Sequence, residues 1–275
     1  MLYVCPTPIG NLEDITLRVL RVLKEADLIL AEDTRRTRRL LRHFKIKKPL
    51  TSFHDHNEKE KSRMVISLLE QGQKIALVSD AGMPGISDPG VFLIKKVIEQ
   101  GLPLEVLPGA NAALVGYLQS GFLGDAFLYY GFLPRRSRER LRVLESLQDW
   151  PYPLIFYEAP HRLAAMLADV LAVLGNRAIS VSRELTKQFE ETRRGTVDEL
   201  LAFYRENTPR GEFVVTVSGR EEEAGGIEES DISQLLQKLL SGGLSTKDAV
   251  EQVSKKYRLP RNQVYRIALE VKPED

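Results

Sequence analysis

Three short segments of this 275-residue sequence carry side chains that could move or hold a proton. Glu158 and His161 stand in "YEAPHR", Glu184 and Lys187 in "RELTK", and Asp88 in "SDPG". A carboxylate or a neutral imidazole within about 3 Å of a hydroxyl can accept its proton, and an ammonium can stabilise the resulting oxygen or hold a phosphate. These residues are the candidates for proton transfer, and an ion pair or a helix cap is the alternative role for each.

The segment "SDAGMPGISDPG" at residues 79–90 follows the apolar run "KIALV" and is rich in glycine and proline. Glycine lets a ligand approach the backbone closely, proline stiffens the turn, and the aspartates can accept hydrogen bonds from hydroxyl or amino groups. Two more loops of small residues, "CPTPIGN" at 5–11 and "PGANAA" at 108–113, follow other strand-like runs. Because ligands of open parallel sheets bind at the carboxyl ends of the strands, we expect these loops to form one cleft for a flat, polar-rimmed ligand.

Several common kinds of site are not indicated. No G-x-G-x-x-G follows a strand-like run and no phosphate-binding G-x-x-x-x-G-K-[ST] is present, which argues against nicotinamide and nucleoside-triphosphate sites. The alternating spacing of His54 and His56 in "SFHDHNE" does not match a zinc pattern, so we expect no metal. The single cysteine, Cys5, stands in the apolar run "LYVC" and is predicted to be a core thiol in a reducing compartment.

Strand-like and helix-like segments alternate over residues 2–118, which predicts an α/β domain with a largely parallel sheet. Asp14 is predicted to cap the first helix. A second block, from about residue 126 to residue 219, has runs such as "PLIFYEAP" and "EFVVTVSG" and is expected to mix parallel and antiparallel pairs. In this block, "KQFEETRRGTV" is predicted to be a strand or a hairpin arm.

Acidic residues and glycines replace the apolar periodicity at "REEEAGGIEES", which is typical of a linker. The helical tail behind it has a Ser/Thr cap and Pro260 opening its last helix, which favours a helix-turn-helix; a packing module without a ligand is the alternative. We therefore expect domains at 1–118 and 119–220, a linker at 221–230, and a helical domain at 231–275.

The net charge is only +1, from 39 Lys and Arg against 38 Asp and Glu, so overall charge does not indicate a nucleic-acid partner. No run approaches the ~20 apolar residues of a membrane span, and no signal sequence opens the chain. The composition predicts a soluble, cytoplasmic protein with no membrane partner.

Seven segments, taken together and in order, resemble the tetrapyrrole methylase superfamily, and more narrowly its ribosomal RNA branch, the small-subunit (cytidine 2'-O)-methyltransferases. The segments are "CPTPIGNLEDITLRVLRVL", "EDTRRTRRLL", "SFHDHNE", "SDAGMPGISDPG", "LPGANAAL", "FYEAPHRL" and "SRELTKQFEETRRGT". The resemblance covers essentially the whole chain, and the tail is similar to that family's C-terminal helix-turn-helix domain.

The resemblance implies two α/β domains with S-adenosylmethionine held in the cleft between them, a homodimer, and 2'-O-methylation of a cytidine in the decoding region of 16S rRNA in the small ribosomal subunit. It implies cofactor contacts from residues of the loops and the second domain: Pro8, Asp80, Ala81, Gly82, Met83, Asn111, Ala112 and Glu158. Met83 stands where tetrapyrrole enzymes carry an aspartate, so Asp80 or Asp88 must supply that contact or it is lost.

A methyl transfer of this kind is an in-line displacement that depends mainly on alignment, and a ribose hydroxyl needs a proton acceptor close by. We expect the catalytic residues among Glu158, Glu184 and Lys187, with the Lys187 ammonium lowering the hydroxyl pKa or holding a phosphate.

Two clusters of cations predict an RNA-binding surface. Residues 35–48, "RRTRRLLRHFKIKK", hold eight Lys and Arg and no acid, and "PRRSRERLR" at 134–142 holds five arginines and one glutamate. Arginine binds phosphates in bidentate geometry and stacks on unpaired bases. The residues expected to contact RNA are Arg35, Arg36, Arg39, Arg135 and Arg136.

Two other functions stay open on the sequence. A tetrapyrrole (precorrin or uroporphyrinogen) C-methyltransferase would share the cofactor cleft but has little use for the cationic segment or the tail. A non-catalytic ribosomal RNA-binding factor would keep the cleft without binding S-adenosylmethionine.

Overall fold

The computed structural model describes residues 1–220, 229–257, 259 and 261–271. These residues form two compact units, Met1–Gly219 and Arg220–Asp275, which are called the first and second unit below. The first unit holds two five-stranded sheets, and the described residues of the second unit form helices and no strands. Most of the predicted linker, residues 221–228, lies outside the described residues.

The first sheet is entirely parallel, as predicted. Its strands are β1 (Leu2–Cys5), β2 (Leu28–Ala31), β3 (Leu50–Ser52), β4 (Ile75–Val78) and β5 (Leu104–Val106). Their order is β3-β2-β4-β1-β5, so β1 lies between β4 and β5. The loops that follow these three adjacent strands are the three loops of small residues.

Helices cover both faces of this sheet. They are α1 (Leu17–Glu25), α2 (Thr34–His43), α3 (Glu58–Glu70) and α4 (Val91–Glu99). In β4, Ala76 and Val78 pack with α1 and α2, whereas Ile75 and Leu77 pack with α3 and α4. Because both faces are buried, the strand has a continuous apolar sequence. Cys5 is in this core, where burial raises the pKa of its thiol to about 12, as expected of a core thiol.

The first helix is capped by a different residue from the one predicted. Asp14 does not cap α1: it lies in the 3₁₀ turn Leu12–Asp14, and the side chain of Thr16 accepts the N–H of Val19 instead. Helix α3 begins at Glu58, before its apolar periodicity starts. The Glu58 carboxylate accepts the N–H groups of Gly90, Phe92 and Leu93, so it caps the start of α4.

The second sheet is mixed, as expected. Its strands are β6 (Leu128–Phe132), β7 (Leu154–Glu158), β8 (Ala178–Arg183), β9 (Glu191–Thr196) and β10 (Phe213–Val217). The order is β6-β7-β10-β8-β9, and only the β6–β7 pair is parallel. The segment predicted as a strand or hairpin arm is β9.

Four helices accompany this sheet: α5 (Ala112–Ser120), α6 (Ser137–Ser146), α7 (Leu163–Leu174) and α8 (Val197–Glu206). The last three pack on one face, and α5 packs on the other. The predicted boundary at residue 118 gave most of α5 to the first domain, but Ala113 and Tyr117 pack with Ile155 and Val214 of the second sheet.

The contact between α5 and the second sheet needs a glycine. A Cβ at Gly116 would lie 2.5 Å from Val214 Cγ1 on β10. The backbone of α5 therefore lies directly on the strand, and the position of its first residues is fixed by that contact.

The second unit consists of α9 (Glu229–Ser241), α10 (Thr246–Tyr257) and α11 (Arg261–Val271) around a core of its own. Ser245 Oγ accepts the N–H of Asp248, which confirms the predicted cap of α10. Pro260, predicted to open the last helix, lies outside the described residues. None of the helices in the described residues is long and apolar enough to cross a lipid bilayer.

Candidate active site

The three loops of small residues meet at one edge of the first sheet, as the sequence predicts. The backbones of Thr7 and Gly82 exchange two hydrogen bonds of 2.9 and 3.0 Å. Thr7 Oγ1 donates to the Ser79 carbonyl at 3.1 Å, and Ser79 Oγ donates to the Gly82 carbonyl at 2.9 Å. The loops after β1 and β4 thus hold each other in a fixed conformation.

A cavity of about 270 Å³, the first cavity, opens between these loops and the second sheet. Six of the predicted cofactor residues line it: Ala81, Gly82, Met83, Asn111, Ala112 and Glu158. Its other walls are mainly apolar and come from Ile9, Phe132, Leu185 and Val214. Asn111 also caps α5, because its Oδ1 accepts the N–H groups of Ala113 and Leu114.

Glu158 ends β7 and is the most buried carboxylate of the first cavity, with a side chain that is 0% exposed. Its Oε1 accepts the Ala159 N–H at 2.8 Å and lies 3.3 Å from Arg162 Nε. Its Oε2 is buried and has no hydrogen-bond partner among the described residues. Burial raises the pKa of Glu158, against the opposing effects of the Ala159 N–H and the Arg162 charge. A buried acceptor without a partner is costly and favours a ligand with a donor at this point.

Asp88 lines the same cavity. Burial, followed by the negative charges of Glu32 and Asp80, raises the pKa of its carboxyl to about 7. A carboxylate with a pKa near neutrality suits a group that accepts a proton at physiological pH. Asp88 is one of the candidates for proton transfer predicted from the sequence.

A second cavity of about 510 Å³ adjoins the first. It is lined by the loop after β1, by the first residues of the loop after β4, and by one face of α2 that presents Arg36, Arg39 and His43. Pro8 and Asp80, predicted as cofactor contacts, line this second cavity and not the first.

Asp80 connects the sheet to α2. Its Oδ1 accepts the Asp33 N–H at 2.9 Å, and its Oδ2 lies 3.5 Å from Arg36 NH1. Asp33 in turn accepts the Arg35 N–H at the first turn of α2 and binds the Arg35 guanidinium through both oxygens. The hydrogen bonds from the Arg35 side chain, and then from its backbone N–H, hold the pKa of Asp33 well below its ordinary value.

The two cavities share four lining residues: Ile9, Ala81, Lys187 and Glu212. Lys187 Nζ donates to Glu184 Oε1 at 3.0 Å and to Glu212 Oε2 at 2.8 Å. Burial lowers the pKa of Lys187, but the hydrogen bonds to Glu212 and Glu184 outweigh it and raise the pKa overall. Lys187 is therefore a charged ammonium at the junction of the two cavities.

Glu184 is not among the described residues that line either cavity. It has a φ of 50° and also accepts the Glu212 N–H at 3.0 Å. Burial raises its pKa, but the hydrogen bonds from Lys187 and Glu212 leave it lower than usual. Glu184 Oε1 therefore accepts hydrogen bonds from both Lys187 and the Glu212 backbone.

The predicted RNA-binding arginines differ in their surroundings. Arg35 is bound to Asp33, Arg36 lies near Asp80, and Arg39 is exposed beside the second cavity. Arg135 and Arg136 are exposed before α6. Arg140, counted in the second cationic cluster, is buried and donates to Asp169 at 2.6 Å, so it stabilises the fold instead of meeting RNA.

Histidines outside α2 contribute little to the site. His161 is exposed in a 3₁₀ turn and is not among the described residues of either cavity. His54 hydrogen-bonds with Asn57, a neighbour in its own loop. Within the described ranges, no group of three or more His, Cys, Asp or Glu could hold a metal ion.

Three residues that line the cavities were not predicted from the sequence: Glu212, His43 and Tyr157. Glu212 precedes β10 in "GEFVV" and carries no motif of its own, so only the structure places it beside Lys187. His43 lies on α2 four residues after Arg39, a spacing that could have put both on one face. Tyr157 alternates with Glu158 in β7, and its hydroxyl oxygen accepts the Ala113 N–H at the start of α5.

Comparison with known proteins shows the family to which the chain belongs. Residues 1–201 match the profile described as Tetrapyrrole (Corrin/Porphyrin) Methylases, and residues 227–272 match that of the RsmI C-terminal HTH domain. The chain belongs to the tetrapyrrole methylase family, and it is a methyltransferase of the S-adenosylmethionine-dependent type.

Relatives with more specific names are similar over most of the chain. "Ribosomal RNA small subunit methyltransferase I" of Halalkalibacterium halodurans is 45% identical over 270 residues, which cover 97% of this chain and 93% of that protein. The protein of the same name from Thermotoga maritima is 46% identical over 220 residues, which cover 80% of this chain and 99% of that protein.

Known structures share the fold. Diphthine synthase has a TM-score of 0.64 at 13% identity, covering 80% of this chain and 90% of that chain. Uroporphyrin-III C-methyl transferase from Thermus thermophilus, determined in complex with S-adenosyl homocysteine, has a TM-score of 0.53 at 18% identity, covering 80% and 97%.

The residues of the first cavity fit S-adenosylmethionine. The ligand has an apolar adenine face and polar amino and hydroxyl groups, and the cavity combines apolar walls with the unpartnered Glu158 Oε2. At Gly82, which has a φ of 81°, an added Cβ would lie 3.3 Å from Ile9 Cγ2 and narrow the cavity. A glycine at this point keeps the backbone accessible to a ligand.

Proposed function

We propose that this protein methylates the ribose 2'-hydroxyl of a cytidine in the decoding region of 16S rRNA. The observation that supports the proposal most is the pair of adjoining cavities. One fits the methyl donor, and the other opens beside the arginine-rich face of α2. The relatives named as small-subunit ribosomal RNA methyltransferases supply the class of substrate.

S-adenosylmethionine supplies an electrophilic methyl group when it is bound in the first cavity. Ala81, Gly82, Met83, Asn111 and Ala112 would hold it through the loops after β4 and β5. Glu158 Oε2 would accept a hydrogen bond from one of its amino or hydroxyl groups. The apolar walls exclude water from the reacting groups, which strengthens the electrostatic interactions among them.

Lys187 would act on the ribose that enters from the second cavity. Its ammonium lies where the two cavities meet, and its carboxylate partners Glu184 and Glu212 hold it in place. A fixed positive charge at this point stabilises the oxygen of the ribose as its proton leaves.

Asp88 is the proton acceptor in this proposal. Its carboxyl has a pKa of about 7, so a large share is ionised and able to accept a proton at neutral pH. Glu158 is the second candidate, because its Oε2 is free among the described residues. Glu184 is already engaged by Lys187 and by the Glu212 N–H.

The RNA would approach along the exposed face of α2, with Arg36 and Arg39 at the second cavity. Arg35, Arg135 and Arg136 are further contacts in the proposal. Phosphate neutralisation by such residues supplies sequence-independent affinity. A homodimer and a location in the cytoplasm, where small ribosomal subunits are assembled, remain parts of the proposal.

The test is mass spectrometry of the nucleosides of small-subunit RNA after incubation with the protein and methyl-labelled S-adenosylmethionine. We expect label in 2'-O-methylcytidine. Label in a tetrapyrrole such as uroporphyrinogen, with none in RNA, would establish the C-methyltransferase alternative. The absence of S-adenosylmethionine binding in calorimetry would leave only a non-catalytic RNA-binding factor.

A further inference from the structure

The second cavity holds an unusual pairing of a carboxylate with arginines. Asp80 has a side chain that is only 20% exposed, whereas Arg36 beside it is 64% exposed. Arg39 follows one turn later on the same face of α2 and lines the same cavity. Along one wall of the second cavity, the Asp80 carboxylate is a hydrogen-bond acceptor and the guanidinium groups of Arg36 and Arg39 beside it are donors.

One hydrogen bond to its carboxylate and the anchoring of its loop hold Asp80 in position. The Asp33 N–H reaches its Oδ1 at 2.9 Å, and the loop that carries it is tied to the loop after β1 through Ser79. An ionised carboxylate has about four acceptor sites, so these contacts leave some of them for a ligand. The Arg36 guanidinium, 3.5 Å away, likewise has N–H groups to spare.

This pattern is complementary to cytosine. The Watson–Crick edge of cytosine presents a donor at N4 and acceptors at N3 and O2, which need an acceptor followed by donors. Aspartate is a known partner of cytosine N4, and arginine is a donor to base acceptors. Uracil presents O4 in place of N4, and that oxygen would face the Asp80 carboxylate.

We propose that Asp80 and Arg36 read the Watson–Crick edge of the target cytosine in the second cavity. This inference rests on the proposed function. Asp80 accepts the N4 amino group, and Arg36 donates to N3 or O2. Such recognition requires a base that is unstacked from its neighbours, which is how proteins usually read RNA sequence. Asp80 is then a specificity-determining residue, in place of the cofactor contact that the family resemblance implies.

The test compares Asp80→Asn with wild type on small subunits that carry cytidine or uridine at the methylated position. Asparagine keeps an oxygen for the Asp33 N–H but can turn an amide donor toward the base. Since a bidentate base contact discriminates by about fivefold to about 150-fold, we expect the ratio of kcat/KM for cytidine over uridine to fall by at least about fivefold. The affinity for S-adenosylmethionine, measured by calorimetry, should stay within about twofold of wild type.

Two further variants complete the test. Arg36→Gln, at an exposed position whose replacement leaves the core intact, should also lower the ratio. Asp55→Asn removes a nearby exposed acid that is not among the described residues of either cavity, and should leave the ratio unchanged.

An unchanged cytidine-to-uridine ratio in Asp80→Asn and Arg36→Gln, with wild type active on cytidine, would overturn this inference and leave the proposed function standing. Loss of S-adenosylmethionine binding in Asp80→Asn would also overturn it and return Asp80 to the cofactor. Wild-type protein inactive on both substrates would contradict the proposed function itself.

Discussion

Neutralising Arg39 on α2 should weaken RNA binding in a way that depends on salt. Arg39 is exposed beside the second cavity and forms no ion pair with any carboxylate in the part of the chain that the structure describes. Arg35 is different, because its guanidinium donates to Asp33 at 2.7 Å and 3.0 Å. An arginine that is already bound to a carboxylate releases fewer counterions on meeting a phosphate.

The size of the effect follows from counterion release. Each phosphate contact contributes about 0.7–0.9 to the slope of log affinity against log salt, so raising salt fourfold, from about 50 to about 200 mM, weakens binding about threefold per contact. Arg39→Gln should therefore reduce the slope by about 0.7–0.9, and Arg35→Gln by clearly less. Affinity for small-subunit RNA is measured by fluorescence anisotropy at several salt concentrations.

Arg63→Gln is the matched control, because Arg63 is an exposed arginine on α3 that is not among the described residues of either cavity. The slope of log affinity for RNA against log salt should be the same for Arg63→Gln as for wild type. If Arg39→Gln and Arg63→Gln changed the slope equally, α2 would not be the RNA track. Equal changes of the slope in Arg35→Gln and Arg39→Gln would contradict the expectation that the Arg35–Asp33 ion pair reduces counterion release.

Four other predictions follow from the site and the fold. Lys187→Met should lower kcat on RNA by at least about tenfold while RNA affinity stays the same, since the ammonium acts at the reacting oxygen. Asp88→Asn should abolish the rise of kcat with pH around 7 and raise the melting temperature at pH 8 more than at pH 4. Gly116→Ala should destabilise the protein by about 1–3 kcal/mol in urea unfolding, and Val214→Ala in the same chain should restore part of the loss. Deleting residues 228–275 should raise KM for small subunits and leave kcat close to that of the full chain.

The pH dependence for Asp88 follows from the direction of its shift. The folded-state pKa, about 7, is above the ordinary value of an aspartate, so the folded protein binds this proton more tightly than the unfolded chain does. The carboxylate therefore destabilises the folded state progressively as pH rises from about 4 through 7, and removing its charge helps most above that range. An equal gain in melting temperature at pH 4 and pH 8 would contradict the shift.

The other three predictions can each fail separately. Normal turnover of Lys187→Met would remove the ammonium from the reaction. Full stability of Gly116→Ala would mean that α5 can shift away from β10. The described residues that line the two cavities all belong to the first unit, so turnover is expected to continue without the tail. An unchanged KM after the deletion would show that the tail does not contact the subunit.

Local patterns predicted most of the first unit. The strand runs of the first sheet and the three small-residue loops were identified because a parallel strand buried on both faces has a continuous apolar sequence, and because glycine and proline mark its ends. Since parallel neighbours place their carboxyl ends together, the meeting of the loops followed as well. The Ser245 cap and the mixed second sheet were predictable for similar local reasons.

Long-range contacts were not predictable in the same way. From the sequence, Glu58 is an ordinary acidic residue in the first turn of α3. In the structure its carboxylate caps the start of α4, more than thirty residues later in the chain. Arg140 has the same sequence neighbourhood as the exposed arginines around it, and only its approach to Asp169 shows that it is a buried structural residue. The motif predicts a cofactor contact for Asp80, but it does not show the hydrogen bond from the Asp33 N–H or the position of Asp80 on the wall of the second cavity.

The most direct test of the central claim is a crystal structure of the protein with S-adenosyl homocysteine. We expect the ligand to lie in the first cavity between Met83 and Ala112, close to Glu158, with its sulfur directed toward Lys187 and the second cavity. A ligand bound elsewhere, or one whose sulfur is separated from the second cavity by packed side chains, would contradict the proposed site.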